Sequence, residues 1–312
     1  MALLDGKVVL VTGATDGLGR ALAAELARSG ATVLVHGRDP DRIADTVREV
    51  RAAGDEARAA GAAGDRVRAY HADLASLAGV RKLAERVIAA EPRLDALVNN
   101  AGIGTDVPGG GVRQQSADGY ELRFAVNYLA GYALTRLLLP LLRKSAPSRV
   151  VNVSSIGQQA IDFGDVMLTE GYDGMRAYRQ SKLAQVFFTL DLAAELDLTG
   201  VTVNALHPAT FMPTKIVAGP PASTIAQGVE ATMRLITAPV AEVGSGRFYN
   251  GLREARADEQ TYDPEARSRR HGVVGRLPAR DSGLLVQMRR RVPRVVVRVE
   301  RLTSFPDRKR QV

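Results

Sequence analysis

Cysteine is absent from this 312-residue chain, and so is tryptophan. Without thiols the protein has no disulfide, no cysteine nucleophile and no thiolate metal ligand. Only four histidines are present, scattered along the chain, so a zinc site is not expected and no metal is assigned. No run of 18 apolar residues occurs, and the opening MALLDGKVVLVTG enters a strand-like segment at once instead of passing through a basic and then a long apolar stretch. A cytoplasmic protein with no transmembrane segment is the expectation.

Acidic residues are also scarce, but only at one end. The net charge is +8, and residues 267–312 hold 13 Arg, one Lys and three acidic residues, a net of +11. The remaining 266 residues carry 28 basic and 31 acidic groups, a net of −3. Positive charge is therefore a property of the tail. The body has no basic patch or finger spacing for reading nucleic acid, and no specific nucleic-acid partner is expected.

What the chain does have is alternation. Strand-like apolar runs at 7–12, 32–36, 67–71, 94–99, 149–153, 201–206 and 246–250 are separated by segments with helical spacing at 18–29, 41–53, 77–90, 117–143, around Tyr178 and at 224–236. This pattern predicts an α/β fold, a doubly wound parallel sheet of the Rossmann type, with ligands outside the carboxyl ends of the strands. One domain over 1–266 and an Arg-rich tail over 267–312 follow from the motifs and the charge. The Ala- and Gly-rich stretch at 51–68 reads as a lengthened surface connection.

The first strand ends in TGATDGLGR, with Gly13, Gly17 and Gly19 between strand and helix. Glycines there permit a tight turn and close backbone approach, and the helix start favours a phosphate, which points to a dinucleotide. A second constellation lies later. Ser155 ends an apolar run, and Tyr178 and Lys182 stand four apart, on one face of a helix. Bringing a tyrosine from its ordinary pKa of about 10 to near 7 needs roughly 4 kcal/mol. One ammonium about 4 Å away at an effective dielectric of roughly 20 supplies that much. The pair then works as a general acid and base at neutral pH, with Ser155 holding a carbonyl or alcohol oxygen beside it.

Together these motifs resemble the short-chain dehydrogenase/reductase family, over residues 5–263. TGATDGLG is similar to that family's cofactor loop, and Asn99, Asn100, Ala101 and Gly102 reproduce its NNAG motif. The resemblance implies coenzyme contacts at Gly13, Thr15, Asp16, Gly17, Leu18, Gly19, Asn100, Ala101 and Gly102, with Asn99 bracing the sheet. It further implies an adenine contact at Asp73 and Leu74, and contacts at Pro208 and Thr210 in HPATFMPTK, where Ala209 replaces the usual glycine. Asn127, Ser155, Tyr178 and Lys182 fall on the catalytic positions. Asn127 would mark a helix kink whose carbonyl serves a proton relay from Lys182, which also holds the nicotinamide ribose. Ser154 reads as a buried structural hydroxyl.

The second strand closes on Gly37 and Arg38 where NAD-specific relatives carry an acid, so NADP(H) is the expected coenzyme, with Arg38 binding its 2′-phosphate. Asp16 stands against this, where many such enzymes place a base. Residues 217–223 resemble a mobile substrate lid. The 23-position separation of Ser155 and Tyr178 is similar to the extended loop of the retinol dehydrogenase and protochlorophyllide reductase branch, which implies a roomy apolar pocket. The helix after Tyr178 is apolar nearly all round, which predicts burial in a homo-oligomer. The chain thus reads as an oxidoreductase acting on a small-molecule carbonyl or alcohol. The alternatives are an idle NADP-binding regulator and a nucleic-acid or membrane-surface binder acting through the tail.

Overall fold

Alternation inside single strands builds the molecule. In β1 (Val8–Val11) all four residues are buried; Val8 and Leu10 enter one core cluster while Val9 and Val11 enter the other. Successive side chains of a strand point to opposite faces, so this strand is apolar on both. Each such valine or leucine taken out of water contributes about 1.5–3 kcal/mol. A strand of this kind must be covered on two sides.

The computed structural model describes residues 2–56, 66–104, 111–216 and 220–269. Much of the Ala- and Gly-rich connection, the first residues of the expected lid and the tail from 270 onward lie outside them.

Among the described residues one sheet carries eight strands in the order β3-β2-β1-β4-β5-β6-β7-β8. These are β1, β2 (Thr32–Gly37), β3 (Val67–His71), β4 (Ala96–Asn99), β5 (Ser148–Val153), β6 (Val201–His207), β7 (Arg247–Asn250) and β8 (Arg253–Ala255). The first seven are parallel, and the expected doubly wound sheet is the one observed. β8, which the sequence reading lacks, is a three-residue antiparallel return on β7. Helices α1 (Gly17–Arg28), α2 (Pro40–Glu56) and α6 (Ile225–Thr237) cover one face. Helices α3 (Leu77–Ala90), α4 (Ala130–Lys144) and α5 (Gly174–Glu195) cover the other. The chain order reverses between β1 and β4, which opens the crevice where such sheets bind ligands.

Two expectations about helices change. The segment expected to be helical from 117 turns instead: Gly119 has φ +84°, and Gln115 bridges Glu121. The Asp118–Gly119 pair is a turn signal that the apolar spacing overrode. The helix then passes through a π turn at Phe124–Leu129 before α4 begins.

The second change concerns α5. Residues 181–189 are all buried within a single chain. Leu183, Phe187 and Phe188 pack in the core with α4, while Val186 meets Ala205 and Phe248 beneath partly buried Ala255 and Ala257. The return strand and the residues after it thus bury part of α5 within a single chain. The homo-oligomer stays a proposal.

By length and composition Phe124–Lys144 could cross a membrane, but 72% of its most apolar window is buried inside the fold, as a core helix. At the C-terminal end Ala266 is buried and Arg267 ion-pairs Asp191 at 2.6 Å, so the packed body continues past 266.

Candidate active site

The ends of β1 and β4 are stitched together at the crevice. Thr12 Oγ1 accepts from Asn100 N at 3.0 Å and from Ala101 N at 3.1 Å, and Asn100 Nδ2 donates to Thr12 O at 2.8 Å. Gly13, at φ +64°, lies so close to the second strand end that a Cβ on it would sit 2.8 Å from Ala101 Cα. A Cβ on Gly19 would sit 2.3 Å from Gly13 O, so α1 packs directly on its own loop. Asp16 caps α1 by accepting from Gly17 N at 2.8 Å. Asn99 braces the sheet as expected, donating to Thr135 and Asn152 at 2.9 Å.

His36 holds the loop from behind, and no sequence signal marks it. Its Nδ1 accepts from Gly13 N at 3.2 Å and its Nε2 faces Ala72 O at 3.2 Å, which fixes the proton on Nε2. Burial pushes its pKa down to about 4, so the ring is neutral.

β2 ends on Gly37, and the first acid beyond it, Asp39, lines the cavity while accepting from Asp41 N at 2.9 Å and Arg42 N at 3.2 Å at the start of α2. Arg38 is exposed at the rim, and its carbonyl meets His71 Nε2 at 3.0 Å. Arg42, on the first turn of α2, donates to Asp16 at 2.7 Å and to Thr15 O at 3.0 Å, and Lys215 reaches Asp16 at 2.9 Å. Burial raises the Asp16 pKa, but hydrogen bonds from Lys215, Arg42 and Gly17 outweigh it and leave the carboxyl below its ordinary value. The acid that stood against a 2′-phosphate is thus already neutralised by two cations. Arg42 and Lys215 escaped the sequence reading because neither belongs to a motif.

Ser155, Tyr178 and Lys182 meet at the other end of the crevice. Ser155 accepts from Gly157 N at 3.0 Å, and its hydroxyl pulls the Tyr178 pKa down. Its neighbour Ser154 is buried and donates to Lys182 O at 2.8 Å, as a structural hydroxyl. Lys182 Nζ is buried and donates to Val153 O at 2.9 Å, standing 5.7 Å from the centre of the Tyr178 ring. Burial lowers the Lys182 pKa to about 7. Burial also raises that of Tyr178, against the pull of Ser155. The sequence expectation that Lys182 brings Tyr178 down is therefore not met in the ligand-free chain: the ammonium is bonded elsewhere and is itself half-discharged near neutrality.

Asn127 sits in the π turn. Its Oδ1 accepts from Ile103 N at 2.7 Å, and its Nδ2 donates to Ile103 O at 3.1 Å and to Ser181 at 2.9 Å. The helix irregularity expected there is the π turn. The side-chain amide is spent on clamping the loop just beyond the NNAG motif to α5.

One cavity of about 680 Å³ joins both ends. Every residue of the sequence-derived set lines it except Asn127, which stands behind Ile103. Asp73, Leu74, Pro208 and Thr210 are among them, and His207 meets Thr210 Oγ1 at 3.1 Å. The mouth is apolar: Ile156, Met175, Phe211 and Ile216 line it with at least 36% of each exposed. Phe211 does so from a left-handed backbone, φ +47°. A glycine cradle at a helix start, cations at the rim and a long continuous cavity fit a nicotinamide dinucleotide.

Comparison with known proteins agrees. The pattern of the short chain dehydrogenase family matches residues 7–220. The chain belongs to that family. It is 38% identical to human retinol dehydrogenase 14 over 81% of this chain and 80% of that protein. It is 36% identical to human retinol dehydrogenase 13 over 88% of this chain and 86% of that one. A short chain dehydrogenase from Shigella flexneri complexed with NADP superimposes with a TM-score of 0.63 at 26% identity, covering 81% of this chain and 99% of that one. As a short chain dehydrogenase the protein is an NAD(P)-dependent oxidoreductase, similar to the retinol dehydrogenase branch.

Proposed function

We propose that the protein transfers hydride between NADP(H) and an apolar carbonyl or secondary alcohol at the Ser155, Tyr178 and Lys182 site. The observation that carries the reading is the meeting of Ser155, Tyr178 and buried Lys182 on the wall of one cavity that begins in the glycine loop. Bound NADPH would supply hydride to the carbonyl carbon. Tyr178 then gives its phenolic proton to the carbonyl oxygen, and the Ser155 hydroxyl holds that oxygen by a hydrogen bond as charge develops on it. Lys182 and the NNAG turn would hold the ribose end, the glycine loop and the start of α1 the pyrophosphate, and Asp73 and Leu74 the adenine. Arg38 and Arg42 would take the 2′-phosphate, since a guanidinium binds that dianion bidentately. The relay role of Asn127 runs through the π turn that it anchors.

The apolar mouth fits an apolar substrate, and the retinol dehydrogenase relatives make an isoprenoid aldehyde a natural probe. The test is NADPH oxidation with a panel of ketones and aldehydes that includes decanal and all-trans-retinal. Turnover of one or more, faster with NADPH than with NADH, is expected. NADPH binding without oxidation by any of them would favour an idle regulator instead. The reading also places the enzyme in the cytoplasm, with its most apolar helix kept inside the fold; recovery in the membrane fraction would overturn that location.

A further inference from the structure

The stretch between β5 and α5 is pinned at many points. Gln180 Nε2 donates to Ala160 O at 3.0 Å. Gln260 brackets Ile161, accepting from its N at 2.7 Å and donating to its O at 3.0 Å. At its far end Tyr172 enters a buried charged node. Tyr172 Oη accepts from Arg123 Nη1 at 2.6 Å and donates to Glu121 Oε1 at 3.0 Å. The Glu121 and Arg123 side chains are 1% and 0% exposed, with Nη1 and Oε1 3.7 Å apart.

Each member reaches a different element. Glu121 Oε2 accepts from Phe124 N at 2.6 Å and so caps the π turn that holds Asn127. Arg123 Nε donates to Gly104 O at 3.0 Å, on the loop beyond the NNAG motif. Gly104 in turn is pressed against the segment after β6, where a Cβ would lie 2.4 Å from Ile216 O. The planar guanidinium thus holds two loops at once, in directions that a lysine cannot reproduce. The two sides of the cavity mouth, Ile216 on one and Ile156 with Met175 on the other, are both tied back to Arg123. An ion pair this deeply buried adds little stability over apolar packing of the same shape, whereas it fixes geometry.

We infer that Arg123 and Tyr172 are positioning residues, which set the width of the substrate entrance by locking the 156–172 loop to Gly104 and to the π turn. The inference rests on the reading of the cavity as the substrate site of an NADP(H)-dependent reductase. Neither residue touches the reacting atoms.

The test compares the full-length protein with Tyr172→Phe, which keeps the ring and removes only the hydroxyl, and with Arg123→Lys, which keeps the charge and removes the fork. Steady-state constants are measured with propanal and with decanal at saturating NADPH, alongside the NADPH dissociation constant and amide hydrogen exchange over 156–172. Tyr172→Phe is expected to raise KM for decanal roughly tenfold, the effect of one lost charge-assisted hydrogen bond. Its kcat, its NADPH affinity and its KM for propanal should stay within about twofold of wild type. Exchange over 156–172 should quicken in both variants, and more in Arg123→Lys. Unchanged exchange in a folded Tyr172→Phe would overturn the inference, as would equal KM changes for the two aldehydes or a fall in kcat and NADPH affinity together. If wild type reduces neither aldehyde, the reductase reading fails, while the exchange comparison still decides whether the node holds the loop.

Discussion

Lys182 shares a face of α5 with Tyr178, yet its ammonium donates to the Val153 carbonyl at 2.9 Å and lies 5.7 Å from the centre of the phenol ring. In the proposed mechanism the two would act on neighbouring groups of a bound complex, and both line the same cavity as Ser155. Tyr178→Phe removes the proton donor while leaving the ring, Lys182 and the glycine loop in place. Turnover should fall by about 10²–10⁴-fold, the usual contribution of a general acid, with NADPH affinity nearly unchanged. Stopped-flow NADPH oxidation and fluorescence titration check the two halves. A folded variant that turns over at the wild-type rate would remove Tyr178 from the chemistry.

Lys182 also makes stability depend on pH. Its pKa is about 7 in the fold, against 10.5 for an ordinary lysine, because burial disfavours the charged form. Between those values the unfolded chain binds more protons than the folded one, so this group's contribution to stability rises with pH across the window. Below about pH 7 the buried charge is a constant cost. Lys182→Met should therefore melt higher than wild type near pH 6, with the gap closing as pH approaches about 10. A difference of 1 kcal/mol corresponds to roughly 2–4 °C for a domain of this size. A variant gap that does not narrow with pH would show that Lys182 keeps an ordinary lysine pKa, and its charge, in the fold. The same substitution should abolish turnover, a trade of stability for activity that functional sites often show.

Coenzyme choice is expected to divide between two arginines. Arg38→Ala should weaken NADPH by roughly 1.5–3 kcal/mol and leave NADH nearly as it was, since the lost group meets only the 2′-phosphate. Arg42 also holds Thr15 O and Asp16. Arg42→Ala should weaken NADPH by a similar amount and NADH to a lesser extent. Calorimetric titration of both coenzymes decides it: equal losses for NADPH and NADH in Arg38→Ala would make that residue structural.

The sheet was legible because each strand is a short apolar run bounded by turn residues, as at Val8–Val11 and Val201–His207. The glycine loop, the NNAG turn and the Ser155, Tyr178 and Lys182 cluster were legible because their spacing recurs across a family. What escaped was mostly long-range. His36 behind Gly13, and Arg42 and Lys215 on Asp16, act across 23, 26 and 199 positions, and no local pattern records such pairs. The direction of the Tyr178 pKa was misjudged for a related reason. Spacing places Lys182 one turn away, but only the structure shows that Val153 takes its hydrogen bond and that burial discharges it. Part of the apolar character of α5 was read as a partner's face because β8 and Ala257, which pack there within the same chain, come much later in the sequence.

The end of the catalytic body can be set by truncation. A chain ending at 269 keeps buried Ala266 and the Arg267–Asp191 pair, together with Gln260, which brackets Ile161. A chain ending at Asp263 keeps Gln260 but loses the other two. Asp191 would then lose the guanidinium at 2.6 Å while its side chain is 9% exposed, and removing one partner of a mostly buried ion pair is destabilising. Truncation after 269 is therefore expected to retain NADPH binding and turnover, because all residues lining the cavity lie before that point. Truncation after 263 should retain NADPH binding and lower the melting temperature, by roughly 2–4 °C for each kcal/mol lost. If the 269-residue chain is folded but does not bind NADPH, the basic tail belongs to the site.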